Sequence, residues 1–241
     1  MVAFNVLTGA TKILFEESTN TYLNLIPYHG QPSMLRPLPE TNELIWYSER
    51  SGWAHLYLYD LNTGQLKNAI TSGEFVVRDI VRYDSTARAL FIQIAGRVPE
   101  RNPYYRELVQ VNIDSGEMTI IASGNHDYCS HHKATYDNAI SSSGQYAVVT
   151  RSRVDDAPVT ELRNRNGDLI LTVEIADISG LPESWQWPEP VVMKAADGTT
   201  DIYGVVFRPS DFDPNNSYPV VDFGMESAFF TQTPPGAFLV E

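Results

Sequence analysis

Four glycines constrain this chain more than any other feature. They close the segments FNVLTG (4–9), YDLNTG (59–64), VNIDSG (111–116) and LRNRNG (162–167), and they stand 55, 52 and 51 residues apart. In each segment an apolar alternation runs into a short polar tip. A second apolar run then follows: ATKILF, QLKNAI, EMTIIA and DLILTV. This is the pattern of a β-hairpin whose glycine takes a positive φ at no steric cost.

Each of the last three hairpins has a further strand before it. The polar turns PETN, DSTAR and SSSG lead into LIWYS (44–48), ALFIQI (89–94) and YAVVTR (146–151). That makes three strands of an antiparallel meander. Segments around 21–27, 75–82 and 132–136 are the expected fourth strands. Four short strands recurring about every 50 residues are the signature of propeller blades. A plain β-sandwich could use similar hairpins, but it has no reason to repeat its turn chemistry at one period. No segment carries a sustained 3.6-residue periodicity. The expected fold is therefore all-β, a partial β-propeller of four-stranded antiparallel blades. The repeat starts in mid-blade at residue 2 and supplies three and a half blades, whereas a closed propeller needs at least about four. Further blades are expected upstream.

Charge narrows the partners. A formal net charge of −13 repels phosphate backbones and anionic lipid surfaces, which argues against nucleic acid and against a membrane surface. The longest apolar runs are too short to span a bilayer. The single cysteine, Cys129, forbids an intrachain disulfide without fixing a compartment. The opening MVAFNVLTGATKILFEE has neither a basic n-region nor an apolar h-region, so it is not a signal peptide.

After residue 180 the character changes. Prolines 182, 188, 190, 209, 214 and 219 punctuate the text, and a strand, an Asp197-Gly198 turn, the strand IYGVVF and the apolar YPVVDF follow. A hairpin feeding an apolar strand suits the opening of an α/β domain. The expected division is a partial propeller over 1–183 and the start of a second domain over 184–241.

Three stretches now point to a family. SERSGWAHLYLYD (48–60) resembles the SERDGW-H-LYLYD stretch of bacterial dipeptidyl peptidase IV-like enzymes, in the prolyl oligopeptidase family of serine peptidases. SRVDDAPVTELRNRNG (152–167) and AADGTTDIYGVVFRPSDFDPNNSYPVV (195–221) continue the resemblance in the family's order. The resemblance implies a propeller capping an α/β-hydrolase domain that releases N-terminal dipeptides, often after proline, with a Ser–Asp–His triad. It implies a peptide substrate, no cofactor, and a periplasmic or secreted setting.

Set against that family, the chain lacks the chemistry. An acyl-transfer site needs a nucleophilic serine in G-x-S-x-G, and no such motif occurs. The triad is expected beyond Glu241. The family's amine-binding glutamates belong to earlier blades. A tyrosine that donates to the oxyanion should follow the YP strand, but Met225 stands there, with Glu226, Ser227 and Ala228 behind it. A thioether donates no hydrogen bond. The alternative reading is a non-catalytic propeller that binds a partner. Unclosed blades expose strand edges, so self-association is expected too.

Other residues have two readings each. Glu16-Glu17 could hold an amine or be a solvated pair at a strand end. HDYCSHH (126–132) offers His126, Asp127, Cys129, His131 and His132, but their spacing on a loop does not preorganise a zinc site, and the expected metal entry is none. Arg78, Asp79, Arg82 and Asp84 read as a solvated face or inter-blade ion pairs. NPYYRE (102–107) is an aromatic loop tip that could line a tunnel or pack on a neighbour. Trp185 and Trp187 flank the boundary. In SERSGWAHLYLYD, residues 49–52 read as a turn. Leu56 and Leu58 are expected on one face of a strand with Tyr57 and Tyr59 on the other, while Trp53 and His55 pack or hydrogen-bond between blades.

Overall fold

The computed structural model describes residues 1–20, 23, 34–129 and 139–221. Every regular element among them is a strand, in agreement with the missing helical periodicity.

The chain opens with the two-stranded hairpin β1 (Val2–Phe4) and β2 (Thr11–Ile13). Three four-stranded antiparallel meanders follow. Blade A is β3 (Arg36–Leu38), β4 (Glu43–Ser48), β5 (His55–Asp60) and β6 (Leu66–Ala69). Blade B is β7 (Val76–Asp84), β8 (Ala89–Ala95), β9 (Arg106–Asn112) and β10 (Met118–Ala122). Blade C is β11 (Asp127–Cys129), β12 (Tyr146–Arg153), β13 (Asp156–Asn164) and β14 (Leu169–Ile175). In all three the strands lie side by side in chain order. A last hairpin, β15 (Glu189–Lys194) and β16 (Asp201–Val206), forms its own sheet. This is a partial β-propeller.

The repeat hairpins are built by one device that reading for glycine alone does not reveal. Each tip begins with Asn or Asp: Asn5, Asp60, Asn112 and Asn164. The side-chain oxygen accepts two backbone N–H groups of the tip, at 2.9 and 3.0 Å for Asn5 and 2.8 and 2.9 Å for Asp60. Asn112 and Asn164 do the same. The glycine N–H then returns to the carbonyl of the same Asn or Asp, at 2.8 Å for Gly64 and 2.9 Å for Gly116. All four glycines have positive φ, between 72° and 92°. A short polar side chain that hydrogen-bonds its own backbone, followed by a residue free to turn left-handed, fixes the loop locally.

Three of these glycines also join the blades. A β-carbon on Gly64 would overlap the Leu14 carbonyl at the end of β2, and one on Gly116 would lie 3.2 Å from the Ile70 oxygen after β6. One on Gly167 would lie 2.5 Å from the Ile120 oxygen in β10. Each tip is thus pressed onto the outer strand of the preceding unit, where only glycine fits.

Between the units lie three apolar layers. Leu44, Trp46, Tyr57 and Tyr59 of blade A pack on Met1 and Phe15. Ile45, Leu56 and Leu58 on the other face meet Leu90, Ile92, Val109 and Val111 of blade B. Phe91 and Leu108 on the far side of blade B meet Ala147 and Val149 of blade C. The middle strands β4 and β8 are buried along their whole length, on both faces. That explains why LIWYS and ALFIQI read as unbroken apolar runs.

Charges cross these layers. Glu43 of blade A, 3% exposed, accepts from Arg88 of blade B at 2.9 Å and from Lys67, while Arg88 also holds Asp114 at 2.6 and 2.7 Å. Burial works to raise the Glu43 pKa, but Lys67, Thr41 and Arg88 outweigh it and the net shift is downward. Arg106 of blade B grips Asp127 of blade C at 2.6 and 2.8 Å and adds its backbone N–H at 2.9 Å.

Two fourth strands differ from expectation. Blade A takes Arg36–Leu38 as its first strand. Pro37 disguises it, yet proline is tolerated on the edge of a sheet. Blade C takes Asp127–Cys129, from within HDYCSHH. That stretch is polar because Asp127 is buried against Arg106, so part of the supposed loop is strand. The expected strand at 132–136 and nearly all of 21–27 lie outside the described residues. The third expectation, 75–82, corresponds to β7.

Candidate functional site

Glu17 follows the first hairpin and reaches across to blade A. Its carboxylate accepts the Trp46 indole N–H at 2.6 Å, the Arg50 guanidinium at 2.6 Å and the Ser48 hydroxyl. Arg50 lies over the Tyr57 ring, 4.4 Å from its centroid, and donates to the Tyr59 hydroxyl at 2.7 Å. Burial opposes the Arg50 charge, but the Tyr59 hydrogen bond and the Glu17 carboxylate outweigh it, so its pKa is raised. Both Glu17 oxygens are therefore engaged within the fold, and Glu17 is not the solvated charge its sequence context suggests. Glu16 beside it is exposed. Here Glu17 ties the first hairpin to blade A through the stretch SERSG.

The rest of SERSGWAHLYLYD is scaffold. Gly52 closes the turn with its N–H on the Glu49 carbonyl at 2.9 Å and a φ of 88°. Leu56 and Leu58 face blade B, and Tyr57 and Tyr59 face the first hairpin. Trp53 is exposed. His55 is 1% exposed. Its Nε2 lies 3.0 Å from the Gly73 carbonyl and its Nδ1 3.0 Å from Thr71 Oγ1. A carbonyl only accepts, so Nε2 carries the proton. The Thr71 oxygen already accepts the Leu56 N–H at 3.1 Å and can donate its hydroxyl proton to Nδ1. Burial pushes the His55 pKa below 6.5, against the opposing Gly73 bond. Both ring nitrogens of this neutral imidazole are occupied, which leaves neither to act on a substrate.

The loop between β8 and β9 offers a more open arrangement. Arg97, Arg101, Tyr105 and Glu107 line a small recess. Glu107, 4% exposed, accepts both ends of the Arg97 fork at 2.8 Å and Arg101 at 3.2 Å. Arg101 also donates to Ser123 at 2.7 Å. Two guanidinium groups thus share one carboxylate, and the recess keeps a net positive charge within an acidic chain. At the loop's tip Tyr104 meets Tyr203 of β16 edge to face, with ring centroids 5.8 Å apart. The NPYYRE stretch therefore contacts the C-terminal hairpin through Tyr104 and blade C through Arg106.

The remaining sequence candidates are structural. Arg82 donates to the carbonyls of Ile140, Ser141 and Ser142 and so ties blade B to the turn before β12. Asp84 caps the next turn through the N–H groups of Thr86 and Ala87. His126 lies 3.0 Å from Asp156 and 3.2 Å from Arg151. Among the described residues no group of three His, Cys, Asp or Glu side chains could hold a metal ion. His131, His132 and Met225 lie outside the described residues. Trp185 and Trp187 meet edge to face between β14 and β15, with centroids 6.3 Å apart. The buried clamps at Glu43 and Asp127 were missed in the sequence. Their one visible signal is a lone acid heading a short apolar or aromatic strand.

Comparison with known proteins places this architecture. The family model of the dipeptidyl peptidase IV N-terminal region matches residues 1–158. The chain belongs to that family. Proteins named probable dipeptidyl peptidase 4 from two Aspergillus fumigatus strains are 26% identical over 229 residues, 92% of this chain. The match covers 28% of each of those relatives, so the chain spans less than a third of their length. The crystal structure of a Bacteroides ovatus protein assigned as a dipeptidyl aminopeptidase IV superposes with a TM-score of 0.67 at 21% identity, over 90% of this chain and 31% of that one. That likeness bears on the fold alone. No helix among the described residues is long and apolar enough to cross a membrane.

Proposed function

We propose that this chain is the substrate-gating propeller portion of a serine exopeptidase that releases N-terminal dipeptides of the Xaa-Pro type. The observation that carries the reading is the stack of meander blades whose sequence matches the dipeptidyl peptidase IV N-terminal region. In this reading residues 1–183 wall and gate the approach to a catalytic centre. Residues 184–241 open the α/β-hydrolase domain, and the Tyr104–Tyr203 contact is where propeller and hydrolase meet.

The 241 residues hold no G-x-S-x-G, and the side chains described above are committed to the scaffold. The propeller would contribute selection by size and charge, not the nucleophile. The chain by itself is accordingly expected to leave Xaa-Pro chromogenic amides intact. Turnover that a serine-directed fluorophosphonate blocks would overturn that expectation. Joining the chain to its upstream blades and to a hydrolase domain with an intact triad should give dipeptide release. Cleavage inside long unfolded chains by that joined protein would overturn the gating role.

A further inference from the structure

The recess in the β8–β9 loop holds one more positive charge than its buried acid requires. Glu107 accepts from Arg97 twice and from Arg101 once, and the Ser123 hydroxyl also donates to it. An ionised carboxylate offers about four acceptor sites, so these bonds use up Glu107. The two guanidinium groups have more N–H groups than the bonds consume. Nη1 of Arg97 and both Nε and Nη2 of Arg101 donate to nothing among the described residues. The two side chains are 33% and 32% exposed and both line the recess, so these donors are open to a solute.

The charges around the recess cancel. Tyr105 forms another wall, and the charged groups that act on it are Arg153, Asp155 and Asp127. Arg153 is paired with Asp155 at 2.7 Å, and Asp127 with Arg106 at 2.6 Å. Glu100, beside Arg101 in sequence, is exposed and forms no ion pair among the described residues. Two arginines against one glutamate leave the recess one unit positive, in a chain whose net charge is −13. Its space is about 210 Å³, mouth included. Gly124 keeps one wall bare; a β-carbon there would lie 2.7 Å from the Tyr128 hydroxyl. Every wall comes from residues 96–124, inside blade B and the turn after it, with blades A and C on either side.

We propose that this recess is a binding site for a carboxylate monoanion, held by the unused edges of Arg97 and Arg101. A monoanion brings the group to neutrality, two guanidinium ions against two carboxylates. A phosphate dianion would overshoot it. The flat edge of a guanidinium matches the two oxygens of a carboxylate, a fit that a spherical halide cannot use. A free small acid and the C-terminus of a peptide both present this group. The site stands on blade B and is independent of the peptidase reading.

The test is an amide NMR titration of the 241-residue chain at fixed ionic strength. The probes are acetate, N-acetylglycylglycine, its C-terminal amide and chloride. Acetate and N-acetylglycylglycine should shift the Gly96, Asn102 and Gly124 amides and saturate in the millimolar range; the amide and chloride should not. Tighter binding of the blocked dipeptide assigns the site to peptide termini, and equal binding to free small acids; both outcomes carry the proposal. Arg101→Gln should weaken acetate binding at least about tenfold. It leaves the Arg97–Glu107 fork in place, and an unchanged melting curve checks that the fold is spared. Arg101→Lys keeps the charge without the flat edge and should regain only part of the affinity. Glu107→Gln removes the competing charge, so acetate should bind this variant more tightly and raise its melting temperature more than the parent's. A merely structural role for Glu107 would not move binding in that direction. Should either Arg101→Gln or Glu107→Gln fail to fold, Arg97→Gln is expected to weaken acetate as Arg101→Gln does. The absence of a saturable shift, equal shifts from the amide or chloride, or unchanged acetate affinity in any folded variant of Arg97, Arg101→Gln or Glu107 would overturn the proposal.

Discussion

Replacing Asp127 by Ala tests how the blades are held together. Asp127 is 1% exposed and accepts three hydrogen bonds from Arg106: two from the guanidinium and one from the backbone. Burial alone would depress the Arg106 pKa; the Asp127 hydrogen bonds and charge reverse that and raise it. Removing the carboxylate deprives a guanidinium of 21% exposure of its paired charge between blades B and C. Breaking a buried pair from one side costs about 3–5 kcal/mol, and the residual exposure of Arg106 favours the lower end, about 3 kcal/mol. In a protein of this size 1 kcal/mol moves the melting temperature by roughly 2–4 °C, so Asp127→Ala should lower it by about 6–12 °C. Amide exchange should quicken first in β11 and in the adjoining end of β9, where the bond is lost. Arg106→Met should cost a similar amount by stranding Asp127. The double variant should cost clearly less than the two single losses together, because it strands no charge. A shift under about 2 °C for Asp127→Ala, or strict additivity in the double variant, would refute the view that this pair clamps the blades.

Two further outcomes follow from the geometry. Gly64→Ala should destabilise more than Gly9→Ala, as measured by thermal melting. Both pay about 1–2 kcal/mol for a left-handed alanine, but only Gly64 has the Leu14 carbonyl in the way; equal losses would refute the joint assigned to the repeat glycines. His55 has a folded pKa below 6.5 while the unfolded chain titrates near 6.5, so the unfolded state binds the extra proton first. Stability should therefore be full above that value and fall as pH drops through the window beneath it; a His55→Gln variant should show a flatter melting profile there, and an equally steep one would count against the assignment.

Much of the fold was legible because its determinants are local. The hairpin tips need only a glycine that can turn left-handed and an Asn or Asp before it, and both repeat visibly in the text. Leu56 and Leu58 against Tyr57 and Tyr59 follow from the two-residue period of a strand. What escaped reading depends on partners far along the chain. Glu17 looked solvated because Trp46, Ser48 and Arg50 lie about thirty residues away. β3 hid behind Pro37, and β11 behind a polar sequence whose acid is paired with Arg106 of another blade. The candidate site was less legible still: Arg97, Arg101 and Glu107 carry no motif, and only the β8–β9 loop brings them together.

The sequence by itself determined an all-β chain of repeating hairpins, with the period and the turn chemistry of blades, because backbone sterics and side chain to backbone hydrogen bonds act within a few residues. Only the tertiary structure decided which faces are buried, which charges are clamped and which tips rest on a neighbouring strand. Those depend on the stacking of one blade against the next. A glycine at a tip reads the same whether a carbonyl lies beneath it, as at Gly64, or open space, as at Gly9.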